Sequence, residues 1–189
     1  MSFATPTNER ARTLVPALAV ALLGLVVVFL RPPLPIDETR YLEVFRESLD
    51  GSAFLLRLLG EPYAEKPPLL FWLARALTTL GAPAEFALRC LPALTSGLVV
   101  WFAARVGRRL GLASVAWLQA ALLMPALASQ FLIFDALLAA CVWGAVDAWS
   151  ARRDGQAWFW SSAALLAKGP VAFLFLVPLF SCTSELRGL

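Results

Sequence analysis

The sequence predicts an all-α protein, a polytopic transmembrane helical bundle of about 5–6 spans with a long external loop carrying amphipathic juxtamembrane helices. Three observations lead there. The 189 residues are 60% hydrophobic with mean hydropathy +0.73, too apolar for a soluble domain of that length. The apolar residues fall into runs near the roughly 20 residues of helix that span a hydrocarbon core. The basic residues sort by type: Lys66 and Lys168 are the lysines among sixteen basic residues, and arginines supply the rest.

Residues 1–12 read as a short polar tail carrying Arg10 and Arg12. The first span covers 14–30. It is longer than the roughly 7–15 apolar residues of a signal peptide, and Arg31-Pro32-Pro33 stands where a small-residue cleavage site belongs. The Pro32-Pro33-Leu34-Pro35 cluster stops it. Residues 31–84 form an external loop, too acidic to cross a bilayer, with interfacial helices. The remaining spans fall within 86–180: one over 86–106, one over 112–130, one over 132–150, and an ambiguous stretch at 157–180. That last stretch is either one kinked helix or two short helices joined at Lys168-Gly169-Pro170. A single span would bury Lys168 near mid-membrane at a cost of at least ~2.5 kcal/mol, so the hairpin is the better expectation. The whole chain, 1–189, forms one membrane domain without repeats or low-complexity segments.

Orientation follows from the arginines. Arg10 and Arg12, then Arg105, Arg108 and Arg109, then Arg152 and Arg153 each sit beside an apolar segment, where cytoplasmic loops carry positive charge. The N-terminus is then cytoplasmic, and the 31–84 loop, the turn from Gln130 to Asp135, and Lys168 face outward. The expected location is the bacterial inner membrane. The net charge of +3 and pI near 9.1 come from these arginines, which suit anionic membrane lipids, and no nucleic-acid partner is expected. Cys90, Cys141 and Cys182 lie in apolar surroundings without CxxC spacing and read as small buried hydrophobes. With no histidine and no paired cysteines, a structural zinc site is not expected.

The chemistry-bearing residues collect on the outer side. Asp37-Glu38-Thr39-Arg40-Tyr41 opens an amphipathic helix on which Asp37, Tyr41, Val44 and Ser48 share a face, while Leu42, Phe45 and Leu49 form a stripe suited to the membrane surface. The plain alternative makes Asp37 a helix cap and Arg40 its i,i+3 partner. In Gly60-Glu61-Pro62-Tyr63-Ala64-Glu65-Lys66-Pro67-Pro68, flanking prolines fix the directions of Glu65 and Lys66 ahead of Leu69-Leu70-Phe71-Trp72-Leu73, an interfacial aromatic anchor. Its alternative is a surface salt bridge between the two neighbours. Asp135 stands at the outer mouth of the 132–150 span, where a carboxylate is a functional candidate or an exposed loop acid. Asp147 reads as a structural partner of Arg152 or Arg153. Asp37, Glu65 and Asp135 with Arg40, Tyr41, Lys66 and Lys168 combine acids able to act as base or metal ligand with cations and a phenol suited to phosphate. That mixture at a bilayer surface suits transfer from a lipid-phosphate donor. A small transporter fits less well, since its polar groups belong near mid-membrane.

At these residues the chain resembles the family-39, GT-C-fold membrane glycosyltransferases that use polyprenyl-phosphate sugars, relatives of the protein O-mannosyltransferases and of the aminoarabinose transferase acting on lipid A. Asp37-Glu38-x-Arg40-Tyr41 is similar to the family's acidic motif in its first external loop. Glu61-Pro62-Tyr63-x-Glu65-Lys66-Pro67-Pro68 with Phe71-Trp72-Leu73 is similar to the second and is the most specific match. Phe134-Asp135-Ala136-Leu137-Leu138 and Ala167-Lys168-Gly169-Pro170-Val171 resemble later motifs. The resemblance implies a glycosyltransferase that moves a sugar from a polyprenyl-phosphate-linked donor to a lipid or protein acceptor at the outer face. It implies that Asp37 is the catalytic carboxylate, Asp135 a second active-site acid, and Arg40, Tyr41, Lys66 and Lys168 the binders of the carrier phosphate. Glu65 would help bind a divalent metal cation. Family members are much longer, with further spans and a C-terminal external domain, and some take a histidine metal ligand from a later span. The expectation is therefore an N-terminal portion of such an enzyme. The alternative is a shortened, non-catalytic relative that binds lipid phosphate or assembles with another chain.

Overall fold

A computed structural model of the protein describes residues 6–122 and 127–181. Helix α1 (Pro6–Leu30) runs alongside α4 (Ala84–Arg109), which packs in turn on α6 (Phe134–Ser150), and α6 on α7 (Asp154–Lys168). Short α5 (Val115–Ala121) rests on α1 and α4. Helix α2 (Asp37–Asp50), a two-residue hairpin of β1 (Arg57–Leu58) and β2 (Glu61–Pro62), and α3 (Leu69–Thr79) lie across one end of this bundle. A 3₁₀ turn (Gly169–Ala172) leads into α8 (Phe173–Ser181). The protein is thus nearly all helical.

Small residues set the α1–α4 spacing. A Cβ on Gly97 would stand 2.9 Å from the Ala17 carbonyl oxygen, and one on Gly24 would stand 2.7 Å from the Ala93 Cβ. Any side chain at either site would force apart two apolar helices whose attraction rests on close packing.

Three helical stretches among the described residues are long and apolar enough to cross a membrane: Ala11–Leu30, Ala84–Arg109 and Asp154–Ser181. The third is not straight. Helix α7 ends at Gly169, whose φ of 63° is open to glycine and strained for other residues, and Pro170 opens the next turn. Along a straight helix Trp158 and Phe180 would lie about 33 Å apart. Their ring centroids are 5.2 Å apart, and Phe180 also meets Trp149 at 4.5 Å. Helix α8 therefore folds back along α7, and Lys168 stands at the turn.

Each of the remaining two expected spans contains a helix among the described residues. The 112–130 segment contains a seven-residue helix, Val115–Ala121, before residues that are not described. The 132–150 segment is a seventeen-residue helix that is largely buried against its neighbours. The stripe of Leu42, Phe45 and Leu49 does not lie on a membrane surface. Phe45 is 1% exposed, and Leu42 and Leu49 pack against the same core, because α2 sits on the bundle end instead of beside it. Cys90 and Cys141 are buried, as small hydrophobes would be, while Cys182 lies outside the described residues.

Candidate active site at one end of the bundle

The site begins where α1 stops. After the proline cluster, Ile36 adopts φ 77° and ψ −76°, and the Asp37 N–H donates to the Pro35 carbonyl at 3.2 Å. These are the marks of the rare γ-turn with a positive central φ, a strained conformation that costs a β-branched residue most. Strain of this kind costs on the order of 1–3 kcal/mol and concentrates at functional positions. Here it fixes the direction of Asp37, the first helical residue of α2. No side chain caps that helix, so Asp37 is not an N-cap. Its carboxylate is open to solvent and accepts from Arg40 Nη2 at 3.0 Å.

Arg40 ties α2 to the segment after the hairpin. Its Nη1 faces Glu65 Oε2 at 3.3 Å, and its guanidinium lies 5.5 Å from the centroid of the Tyr41 ring. The hairpin turn at Leu59 and Gly60 has positive φ at both positions, as a tight two-residue connection requires. The Glu47 carboxylate of α2 accepts both backbone N–H groups at 2.5 and 3.1 Å, and the Tyr63 N–H donates to the Leu56 carbonyl at 2.9 Å. The hairpin is thereby pinned to α2, with Tyr63, Glu65 and Lys66 following in fixed order.

Lys66 differs from the other cations here. Its neighbour Glu65 pairs with Arg40, so the expected alternative of a Glu65–Lys66 salt bridge does not form. Among the described residues Lys66 has no ion pair, and its Nζ lies 5.9 Å from the Phe134 ring centroid. Phe134 is the hub beneath the site, meeting Tyr41 at 5.2 Å and Phe71 at 5.8 Å, both edge to face. The next residue, Asp135, forms an ion pair with Lys168 across the ends of α6 and α7. Gly169 then packs on Pro67, where a Cβ would lie 3.6 Å from the proline Cγ. All seven candidate residues therefore belong to one connected cluster at one end of the bundle. From Asp135 a cavity of about 250 Å³ leads away between Leu138, Val142, Trp143 and Phe175, with almost wholly apolar walls.

Two buried polar atoms in this cluster, Arg40 Nε and the Tyr63 hydroxyl, make no well-formed hydrogen bond among the described residues, although the Glu65 carboxylate lies near the phenol. Burial pushes the Tyr63 phenol up to about 12; Arg40 pulls against that, and the Glu65 charge adds to it. The phenol therefore stays protonated and can donate. Donors in a cationic cluster suit an anion. A cation is served less well: no three His, Cys, Asp or Glu side chains converge among the described residues, and Glu65 faces a guanidinium. Glu65 could offer one donor to a metal, and the rest of its shell would have to come from elsewhere.

Sequence reasoning passed over Glu38. Its carboxylate receives both terminal nitrogens of Arg31, at 2.7 and 2.5 Å, and the N–H groups of Leu34 and Leu132, each at 2.8 Å. One buried acid thus joins the end of α1, the start of α2 and the approach to α6. Tyr63 and Phe134 were present in the quoted motifs, but only the fold shows what they touch. At the opposite end of the bundle, Asp147 is paired with Arg153, as expected, and also with Arg105 and Arg109.

The chain is thus an apolar helical bundle with paired acids and cations gathered at one end. No protein-family model matches the chain. Two solved structures do, both of ArnT from Cupriavidus metallidurans. The apo form matches with a TM-score of 0.74 and 27% identity over 90% of this chain and 35% of the other. The form bound to undecaprenyl phosphate matches with a TM-score of 0.75 and 26% identity over 92% of this chain and 36% of the other. The chain spans about a third of the length of the proteins it matches. It is an integral membrane protein of the ArnT-like GT-C fold.

Proposed function

We propose that this chain carries the donor-binding and catalytic motifs of a glycosyltransferase that moves a sugar from a polyprenyl-phosphate carrier to a lipid or protein acceptor at the outer face of the bacterial inner membrane. The observation that carries the proposal is Lys66. It is a half-buried cation without an acidic partner among the described residues, next to the Phe134 ring, in a cluster whose Asp135 lines an apolar cavity suited to a prenyl tail. The ArnT structure with undecaprenyl phosphate bound supports the carrier. In this reading Lys66, Arg40, Tyr41 and Lys168 hold the phosphate, and Asp37 orients or deprotonates the acceptor. Asp135 positions Lys168, and Glu65 positions Arg40 or contributes to a cation site. Breaking the anomeric bond builds negative charge on the departing phosphate, so fixed cations favour the transition state over the ground state.

Lys66→Met should weaken binding of undecaprenyl phosphate by roughly 10- to 100-fold, the range for losing a hydrogen bond to a charged group. Lys66→Arg should restore only part of it, because a planar fork replaces a compact charge. Binding is read by tryptophan fluorescence in detergent, and unaltered affinity in Lys66→Met would refute the assignment.

A second reading, a lipid-phosphate binder without transfer, is favoured by the pairing of Asp37 with Arg40 and of Asp135 with Lys168, which leaves neither carboxylate without a counter-charge. Sugar transfer separates the two.

Orientation is part of the proposal, with the arginine-bearing end cytoplasmic. In a cysteine-free background, a cysteine at Glu61 should react with an impermeant thiol reagent in intact cells, and one at Arg152 should not. Reversed labelling would place the site on the wrong side for a periplasmic acceptor.

A further inference from the structure

At the end of the bundle opposite the candidate active site, a cavity of about 580 Å³ opens between the start of α1 and the end of α4. Four arginines line it: Arg12 from α1, and Arg105, Arg108 and Arg109 from α4. Its other lining residues are Thr13, glycine and alanines, and no carboxylate faces it among the described residues. Asp147 stands behind, at 3.0 Å from Arg105, 2.8 Å from Arg109 and 2.8 Å from Arg153. Among the described residues one carboxylate is thus shared by three guanidiniums. Arg108 is braced by donating to the Thr13 hydroxyl at 2.6 Å. Arg105, Arg108 and Arg109 are therefore held by the fold.

The same two helices also line a separate apolar groove of about 430 Å³. Leu14, Leu18 and Ala21 form one wall, and Trp101, Leu98 and Leu94 the other. The order along each helix matches: Arg12 and Thr13 precede Leu14 on α1, and Trp101 precedes Ala104 and the arginines on α4. Trp101 marks the boundary, with the Arg105 guanidinium 4.8 Å from its ring centroid. From Thr13 to Ala21 the groove follows about 12 Å of helix. Leu14 and Leu18 are about half exposed, at 45% and 56%, so this wall is not covered by the rest of the described chain.

We infer that this seam binds an anionic phospholipid, with the phosphate headgroup among the arginines and an acyl chain along the α1–α4 groove. Guanidinium forks match phosphate oxygens in pairs, and an acyl chain satisfies the groove below. A second copy of the chain would have to deliver a carboxylate and an apolar rod in the same register. A phospholipid carries both in one molecule. The site is separate from the proposed donor site, at the other end of the bundle, and would anchor α1 to α4 without touching the transfer chemistry.

The test uses the full chain purified in detergent and offered phosphatidylglycerol or phosphatidylcholine of equal chain length, with bound lipid read by native mass spectrometry. Phosphatidylglycerol should be retained at least about tenfold better. Arg12→Gln with Arg108→Gln should lower its retention about 25-fold, roughly fivefold for each arginine, and leave phosphatidylcholine unchanged. Glycerol phosphate at millimolar concentration, a headgroup without a tail, should not displace the lipid. Equal retention of the two lipids by the unmodified chain would overturn the inference whatever the variants do. So would undiminished phosphatidylglycerol in a double variant of normal helical content, displacement by glycerol phosphate alone, or a lipid-free dimer.

Discussion

Asp37→Asn is expected to lower sugar transfer by ~10²–10⁴-fold, the range for removing a positioned proton acceptor. That equals about 2.7–5.5 kcal/mol of transition-state stabilisation. Structural losses from the same change are smaller. Asp37 makes no cap hydrogen bond, so the capping that Asn would preserve is not at stake. Its pair with Arg40 is a solvent-exposed i,i+3 contact, worth about 0–1 kcal/mol. The lost charge in the first turn of α2 costs a further 0.3–1 kcal/mol or so against the helix dipole. A defect of two decades or more therefore cannot come from stability. Asn also keeps the shape that the γ-turn at Ile36 presents, so donor binding should be nearly unchanged. The measurement is transfer from radiolabelled polyprenyl-phosphate sugar by an active preparation containing this chain, alongside undecaprenyl phosphate affinity. Near-normal transfer would remove Asp37 from the catalytic group and favour the lipid-phosphate binder without chemistry.

What the sequence showed, and what it hid, divides along the range of the interactions. Membrane class and the sorting of arginines depend on composition and local spacing, and both were legible. So was the reversal at Lys168-Gly169-Pro170, because a buried lysine, a glycine and a proline each argue against a straight helix at one point. The stripe of Leu42, Phe45 and Leu49 was legible as a stripe but misassigned. A 3.6-residue period says that a face is covered, not whether lipid or protein covers it. Glu65 and Lys66 stand side by side, and adjacency suggested that they pair. Arg40, twenty-five residues earlier, takes the glutamate instead and leaves the lysine without an ion pair among the described residues. The γ-turn at Ile36 has no sequence signature, since an isoleucine is among the last residues expected at positive φ. Asp147 shows the same limit from the other side: the nearby Arg153 was foreseeable, whereas Arg105 and Arg109 arrive from a different helix.

Glu38 is the extreme case of a non-local role, and its loss should be the most damaging single change to the fold. It stands next to Asp37 in the acidic motif and is 3% exposed. Glu38→Ala would strip two charge-assisted bonds from Arg31 and leave the Leu34 and Leu132 N–H groups without acceptors. Breaking a buried ion pair from one side costs about 3–5 kcal/mol, because the remaining charge stays in place unpaired. That is a large share of the 5–15 kcal/mol or so that holds a typical domain together. The pH dependence carries a sign that a merely bulky residue would not give. Burial pushes the Glu38 pKa up, but the Arg31 guanidinium and the backbone donors of Leu132 and Leu34 more than offset it, and the folded value lies below the usual 4.5. Its contribution is therefore complete above about pH 4.5 and is lost as pH falls through the lower, folded value. Thermal unfolding in detergent should show Glu38→Ala well below the parent at pH 7, with the gap closing as the pH is taken under 4. Glu38→Met combined with Arg31→Met should recover the part of the loss that comes from the stranded charge, while the Leu34 and Leu132 N–H groups stay without acceptors. Because Glu38 joins the segments that present Asp37 and Asp135, Glu38→Ala should also weaken undecaprenyl phosphate binding and transfer together. A variant that melts with the parent at pH 7 would mean that these four bonds do not hold the two halves of the site in register.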